Sequence, residues 1–188
     1  DKYKGKKVAI IHDKSTYGKG LADETQKAMN AKGLKEVMYE AVTQGDKDFG
    51  ALISKMKQAG VDVIYYGGYH TEAGLMVRQS REQGFNATLI SGDALVDNEF
   101  WKVTGPAGEG TLMTFSRDRR KNEKAAPLVK KFRDKGIEPE GYVLYTYGAV
   151  QAWAQADEKA KSTDGKKLAD TLHKEKFDTV LGSFNFDK

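Results

Sequence analysis

Short apolar runs alternate along this chain with longer stretches in which apolar residues recur every three or four positions. Lys7-Val8-Ala9-Ile10-Ile11-His12 is a short unbroken apolar run, as a strand buried on both faces of a parallel sheet requires. Tyr17-Gly18-Lys19-Gly20 follows, then a helical stretch to Lys32 closed by Gly33. Residues 36–39 read as the second strand. Phe49, Leu52, Ile53 and Met56 stand at i, i+3, i+4 and i+7, which predicts an amphipathic helix over 48–59, ended by Gly60. Residues 61–66 read as the third strand. Gly67-Gly68-Tyr69-His70 forms a loop, and a helix follows over about 71–83 with Gly84 after it. Thr88-Leu89-Ile90-Ser91 is the fourth strand. Gly108 and Gly110 lead into a fifth over 111–115.

Strands alternating with helices predict an α/β fold: three layers, α/β/α, with a doubly wound, mainly parallel sheet and right-handed crossovers. After Phe115 the pattern changes. Arg117 to Lys124 is charged and reads as a connection. Leu128, Val129 and Phe132 mark one helix face, which Gly136 closes. Tyr142 to about Ala160 is a second helix, rich in alanine and aromatics. Leu168, Ala169 and Leu172 mark a third, with Thr163 or Asp164 as its N-cap. Residues 180–186 read as a broken extended stretch. These extra C-terminal helices need a surface to cover, so the tail is expected to belong partly to a sheet outside this chain. Alone, it should pack imperfectly on the first sheet or on a second copy.

Composition narrows the function classes. With 39% hydrophobic and 31% charged residues in 188, the chain has the balance of a globular protein rather than a disordered one. No apolar run approaches the roughly 20 residues of a membrane helix. The first seven residues lack the apolar stretch of a signal peptide, which is compatible with a signal already removed. There is no cysteine, so disulfides, thiolate nucleophiles and zinc–thiolate sites are excluded. The net charge of +4 raises the question of nucleic acid. The basic residues, however, are mixed with 27 acids, and the densest run, Arg117-Asp118-Arg119-Arg120-Lys121, has no interleaved aromatic. It reads as a solvated face or loop, and no nucleic-acid partner is expected.

In an open parallel sheet, ligands bind beyond the carboxyl ends of the strands. Here those ends carry His12-Asp13-Lys14-Ser15-Thr16-Tyr17, Glu40-Ala41-Val42-Thr43, Gly67-Gly68-Tyr69-His70 and Gly92-Asp93-Ala94. One rim thus holds two tyrosines, an acid and glycine turns. The tyrosines offer apolar faces with hydroxyls, and the carboxylate offers a seat for an ammonium group. The combination suits a zwitterionic or cationic organic ligand. Each residue also has a plain structural reading: Tyr17 as cover for the strand edge, Asp93 as the cap of a turn, His12 and His70 as hydrogen-bonding or capping groups, His173 as a solvated side chain. Enzymatic templates fit badly. Gly18-Lys19-Gly20 lacks the third glycine of a dinucleotide fingerprint, and no phosphate loop ends in lysine and serine. His12-Asp13, and His70 with Glu72, match no metal-ligand spacing. No catalytic residue, cofactor or metal is expected.

Several motifs then agree in order and spacing with one family. Lys7 to Asp13 followed by Tyr17-Gly18-Lys19-Gly20, Gln44-Gly45-Asp46-Lys47-Asp48-Phe49, Tyr65-Tyr66-Gly67-Gly68-Tyr69-His70, Glu109 to Thr114 and Tyr142 to Tyr147 resemble leucine/isoleucine/valine-binding proteins. These are bilobed type I periplasmic receptors of ABC importers. The resemblance covers nearly the whole chain. It implies a second ligand-binding lobe over 1–115, a helical segment belonging to the first lobe over 116–183, and an approach to the last hinge crossing over 184–188. The first-lobe groups that hold the ligand carboxylate would precede Asp1. It also implies that Asp93, where some members carry glutamate, receives the ligand ammonium, that Tyr17 and Tyr69 give aromatic contacts, and that Tyr142, across a one-residue gap, lies near the ligand side chain. The implied ligand is a branched-chain or related amino acid. The implied partners are a membrane ABC permease, reached through the full-length protein, and the missing first lobe or a second copy. The implied location is the periplasm. A ligand-sensing receptor or regulator domain of the same fold is the alternative, ahead of a flavodoxin-like enzyme.

Overall fold

The computed structural model describes residues 3–186. The outer ends of two expected segments, residues 1–2 and 187–188, lie outside the described residues. The chain divides into two compact units, with the boundary between Ser116 and Arg117.

The first unit is built on five parallel strands: β1 Val8–His12, β2 Met38–Ala41, β3 Val63–Gly67, β4 Thr88–Ser91 and β5 Leu112–Met113. Their order across the sheet is β2-β1-β3-β4-β5. Helices α1 Thr16–Ala31, α2 Gly50–Ala59, α3 His70–Glu82 and α4 Asn98–Thr104 make the crossovers. Side-chain alternation divides the sheet's contacts. Ala9, Ile11, Ile64, Tyr66 and Leu89 point to one face, where they pack with Ile53 and Met56 of α2, Met76 and Val77 of α3, and Phe100 of α4. Val8, Val63, Tyr65 and Ile90 point to the other, alongside Thr25 and Met29 of α1. Alternate residues of one strand thus serve helices on opposite sides, which is why these strands read as continuous apolar runs.

The edges of the elements shift where pairing overrides pattern. The second strand begins two residues later than expected, because Ala9 of β1 pairs with Met38. The fifth is only Leu112–Met113, the part that finds Ile90 and Ser91 on β4. Helix α4 was not expected. It is seven residues long, too short for a periodicity to show, and it is held by Asp97, whose side chain accepts the Glu99 amide, and by the fully buried Phe100.

The second unit holds α5 Ala126–Arg133, α6 Val143–Ala160, α7 Gly165–Lys174 and a hairpin of β6 Phe177–Thr179 with β7 Gly182–Phe184. The hairpin corrects the expected broken extended stretch. Phe177 pairs with Phe184 and Thr179 with Gly182, so Val180 and Leu181 make the turn and Gly182 leaves it at φ 113°. The expected N-cap Asp164 accepts the Lys167 amide at 3.0 Å. The stripe Leu144, Gly148, Ala152 and Ala156 of α6 is buried. A Cβ on Gly148 would meet Leu181 at 2.6 Å. Gln151 and Gln155, on the neighbouring stripe of α6, bond the backbone of Val180 and Asp178. The tail therefore buries two small apolar clusters of its own, one around Val129, Leu144 and Val180, the other around Ala152, Leu168 and Phe177. The outer face of α6 is different: Tyr147, Val150 and Trp153 are 41%, 60% and 51% exposed.

Two glycines in one helix give a direct test of packing. A Cβ on Gly18 would lie 2.2 Å from Asp13 Oδ1 and 2.5 Å from the Gly67 carbonyl oxygen, whereas one on Gly20 would meet nothing within 4 Å. Gly18→Ala should cost about 1–3 kcal/mol through overpacking. Gly20→Ala should add roughly 0.5–1 kcal/mol through helix propensity. Urea midpoints of the two variants, which should move in opposite directions, measure both.

Candidate functional site

The strand order reverses direction between β1 and β3: from β1 the chain steps outward to β2, then returns to β3 and proceeds the other way. At such a switch point the loops leaving the two central strands diverge and open a crevice beyond their carboxyl ends. Tyr17 enters it from the first turn of α1 and Tyr69 from the β3–α3 connection. Their ring centroids are 5.3 Å apart with the planes tilted by 37°. Asp93 follows β4 at the start of a 3-10 turn, Asp93–Leu95. Its Oδ1 accepts the Tyr17 hydroxyl at 2.9 Å. The structure thus brings together three of the four expected site residues. Tyr142, the fourth, lies in the second unit on the residue before α6. It is about half exposed, with its ring 6.5 Å from that of Tyr145.

Local sequence explains these placements. Ser15 caps α1 by accepting the Gly18 amide at 2.8 Å, which fixes the turn on which Tyr17 stands. Gly92 lets the phenol pass over the end of β4, since a Cβ there would meet the Tyr17 oxygen at 2.9 Å. Gly68 must also be bare, because a Cβ would sit 2.4 Å from the hydroxyl of Tyr66. Burial, followed by the hydrogen bond and charge of Asp93, pushes the Tyr17 phenol up to about 12. Tyr17 is therefore a neutral donor at physiological pH. It takes Oδ1 of Asp93 and leaves the second oxygen for another donor. The crevice presents aromatic faces beside an oriented carboxylate, which suits a small ligand with an ammonium group and an apolar side chain.

The other rim residues have structural roles. His12 is buried, accepts the Lys14 amide on Nδ1 at 3.1 Å and packs 5.4 Å from the ring of Tyr39. Burial, then the charge of Lys19, lowers its pKa. His70 begins α3. The sequence shows Asp13, Gln44 and Glu72 near the rim, but pattern reading assigns none of them the bonds it makes. Asp13 is 1% exposed and Glu72 is 6% exposed. Glu72 accepts the Gly45 amide at 2.8 Å. The signal for Asp13 was present as Asp-x-Ser after a strand, the sequence of an Asx-type turn. Among the described residues no group of three or more His, Cys, Asp or Glu could hold a metal ion. A separate cavity of about 460 Å³ lies against the α1 face of the sheet. It is lined by Val8, Met29, Leu34, Val63, Tyr65 and Ile90 among others, with no carboxylate. Lys4, Thr25 and Lys32 also line it, so it offers cations and a hydroxyl but no carboxylate for an ammonium group.

A family model described as periplasmic binding protein matches residues 1–188. The chain belongs to the periplasmic binding protein family. Among relatives, the "Leu/Ile/Val-binding protein homolog 1" of Brucella suis is 55% identical over 190 residues, covering 100% of this chain and 51% of that protein. The chain therefore spans about half the length of the curated relatives it matches. Among solved structures, a leucine binding protein of Thermotoga maritima superposes with a TM-score of 0.83 at 28% identity, over 99% of this chain and 55% of that one. The branched-chain amino acid transporter substrate binding protein of Streptococcus pneumoniae, in complex with isoleucine, gives 0.83 at 28% identity, over 96% and 52%. Expectations of fold and family are met. The family is one of solute-binding proteins.

The Tyr17 shift has a signed consequence for this periplasmic binding protein. A phenol whose folded pKa exceeds its unfolded value contributes stability fully present below about pH 10, and that contribution is lost as pH rises from about 10 through about 12. Tyr17→Phe should flatten the alkaline limb of stability within that window and leave the slope below pH 9 unchanged. Urea midpoints recorded from pH 8 to pH 12 measure it.

Proposed function

We propose that this chain supplies one wall of the ligand cleft of an amino-acid receptor serving an ABC importer, and that the ligand is a branched-chain or related amino acid. The observation that carries the reading is the juxtaposition of Tyr17, Tyr69 and Asp93 at the switch point of the sheet. The names of the relatives support it: the Brucella protein is a Leu/Ile/Val-binding homolog, and the Streptococcus protein was crystallised with isoleucine. In this reading Asp93 receives the ligand ammonium, while Tyr17 and Tyr69 line the contact with the apolar side chain. Tyr142 adds an aromatic contact from the other lobe. Groups that bind the ligand carboxylate belong to the remainder of the whole protein.

The same reading assigns residues 1–115 to the second lobe, 116–183 to the first lobe and 184–188 to the approach to the last crossing. The exposed bulky face of α6, with Val150 60% exposed, supports a partner surface in the whole protein. That protein would work in the periplasm and hand its ligand to a membrane permease. The mechanism is binding and release. The ammonium displaces water from Asp93, the phenol keeps the carboxylate aimed, and closure of the two lobes removes the pair from solvent.

In the whole protein, calorimetry against the twenty amino acids should show a preference for leucine, isoleucine or valine. A buried ion pair that loses one partner costs about 3–5 kcal/mol, because the other charge stays unpaired. Asp93→Asn should therefore weaken binding roughly 10²–10³-fold, and Asp93→Glu much less. Leucine affinity of Asp93→Asn within about threefold of the unaltered protein would remove the anchor role. The 188-residue chain by itself should bind weakly, and submillimolar leucine binding to it would contradict the shared cleft.

A further inference from the structure

We infer that Asp13, a buried carboxylate with no ligand contact in the reading above, is the residue that positions Tyr17 and Tyr69 for binding; the ligand part of this inference rests on that reading. Three rim segments converge on it. On its own segment, Oδ1 accepts the Ser15 amide at 2.9 Å and the Ser15 hydroxyl at 2.6 Å. Ser15 Oγ in turn accepts the Gly18 amide at 2.8 Å and so holds the first turn of α1, on which Tyr17 stands. From the β2–α2 loop, Gln44 Nε2 donates to Oδ2 at 3.0 Å. From β3, the Gly67 carbonyl accepts the Asp13 amide at 3.0 Å, two residues before Tyr69.

Asp13 is 1% exposed, and Gly18 packs so closely on it that only a bare Cα fits. Three donors and a helix N-terminus compensate its charge. A carboxylate bonded in this way has one orientation and holds the first turn of α1 against the β2–α2 loop, while the backbone amide of the same residue ties that turn to the end of β3 ahead of Tyr69. Deleting the carboxylate frees the Ser15 hydroxyl and the Gln44 amide and leaves a void beside the first turn of α1. The 5.3 Å approach of the two rings should then loosen even where the sheet survives.

Conservative replacement separates positioning from bulk stability. In Asp13→Asn the amide oxygen still accepts from Ser15, and Gln44 can turn its own amide to present an oxygen to the new NH₂ group. In Asp13→Ala no acceptor remains. In the whole protein, leucine affinity should fall about 10–100-fold for Asp13→Ala and stay within about fivefold for Asp13→Asn. Ile53→Ala, in the core beneath α2, should lower the melting temperature without a comparable loss of affinity. A readout free of ligand uses this chain with labelled tyrosine: the ring-to-ring NMR cross-peak between Tyr17 and Tyr69 should weaken in Asp13→Ala and persist in Asp13→Asn. If Asp13→Ala does not fold, Ser15→Ala, which removes the cap that links Asp13 to the first turn of α1, replaces it, with the same weakening of the cross-peak expected. An undiminished cross-peak in the folded acceptor-deleting variant, or equal affinity loss in Asp13→Ala and Ile53→Ala at matched stability, overturns the inference. If the unaltered whole protein binds no branched-chain amino acid, the functional reading fails, while the cross-peak still decides the role of Asp13.

Discussion

The first turn of α1 lies so close to the end of β3 that neither facing residue can carry a side chain. A Cβ on Gly67 would fall 2.0 Å from the Gly18 carbonyl oxygen, and one on Gly18 would fall 2.5 Å from that of Gly67. This backbone approach determines where α1 begins, hence where Tyr17 stands, and how the β3–α3 connection leaves the sheet, hence where Tyr69 stands. The site is therefore a consequence of a steric constraint at the switch point of the sheet. Residues on connections anchored this tightly can hold a binding geometry that free loops cannot.

Polarity at the rim follows the same economy. The hydroxyl of Tyr17 would otherwise need a partner beneath its ring, and Asp93 supplies one at 2.9 Å. The phenol's resistance to ionisation and the carboxylate's fixed orientation are two sides of one bond. An acid that keeps one oxygen bonded to a fixed donor loses rotational freedom. The entropy of orienting it is met by folding rather than by binding.

The strand–helix alternation, the parallel sheet and the three rim residues were legible because each leaves a local mark: apolar runs, glycines after helices, and polar or aromatic residues just past a strand end. Helix α4 left none, and the β6–β7 hairpin showed only as a broken extended stretch over 180–186. Seven residues cannot display a helical period, and three-residue strands fall below any alternation test. The hairpin exists because Phe177 meets Phe184 and because glutamines on α6 satisfy its backbone. Both conditions are tertiary. The bonds of Asp13 stayed hidden for a related reason. Its burial becomes visible only when Gln44 and Gly67, 31 and 54 positions away, are brought to it.

Helix α6 carries the remaining tension. Its small residues, Gly148, Ala152 and Ala156, face inward, and its bulky ones, Tyr147, Val150 and Trp153, face out. Burial stabilises in proportion to apolar area, at about 25 cal/mol per Å². A helix that turns its larger apolar residues outward forgoes most of what it could gain within its own unit. That choice is sensible only if the outward face is buried elsewhere in the complete protein. The chain spans about half the length of its relatives, so chain of the required length exists in proteins of this kind. In the reading proposed above, the outward face would be covered by the rest of the whole protein, just as the open side of the Tyr17–Asp93 pair would be covered by a ligand.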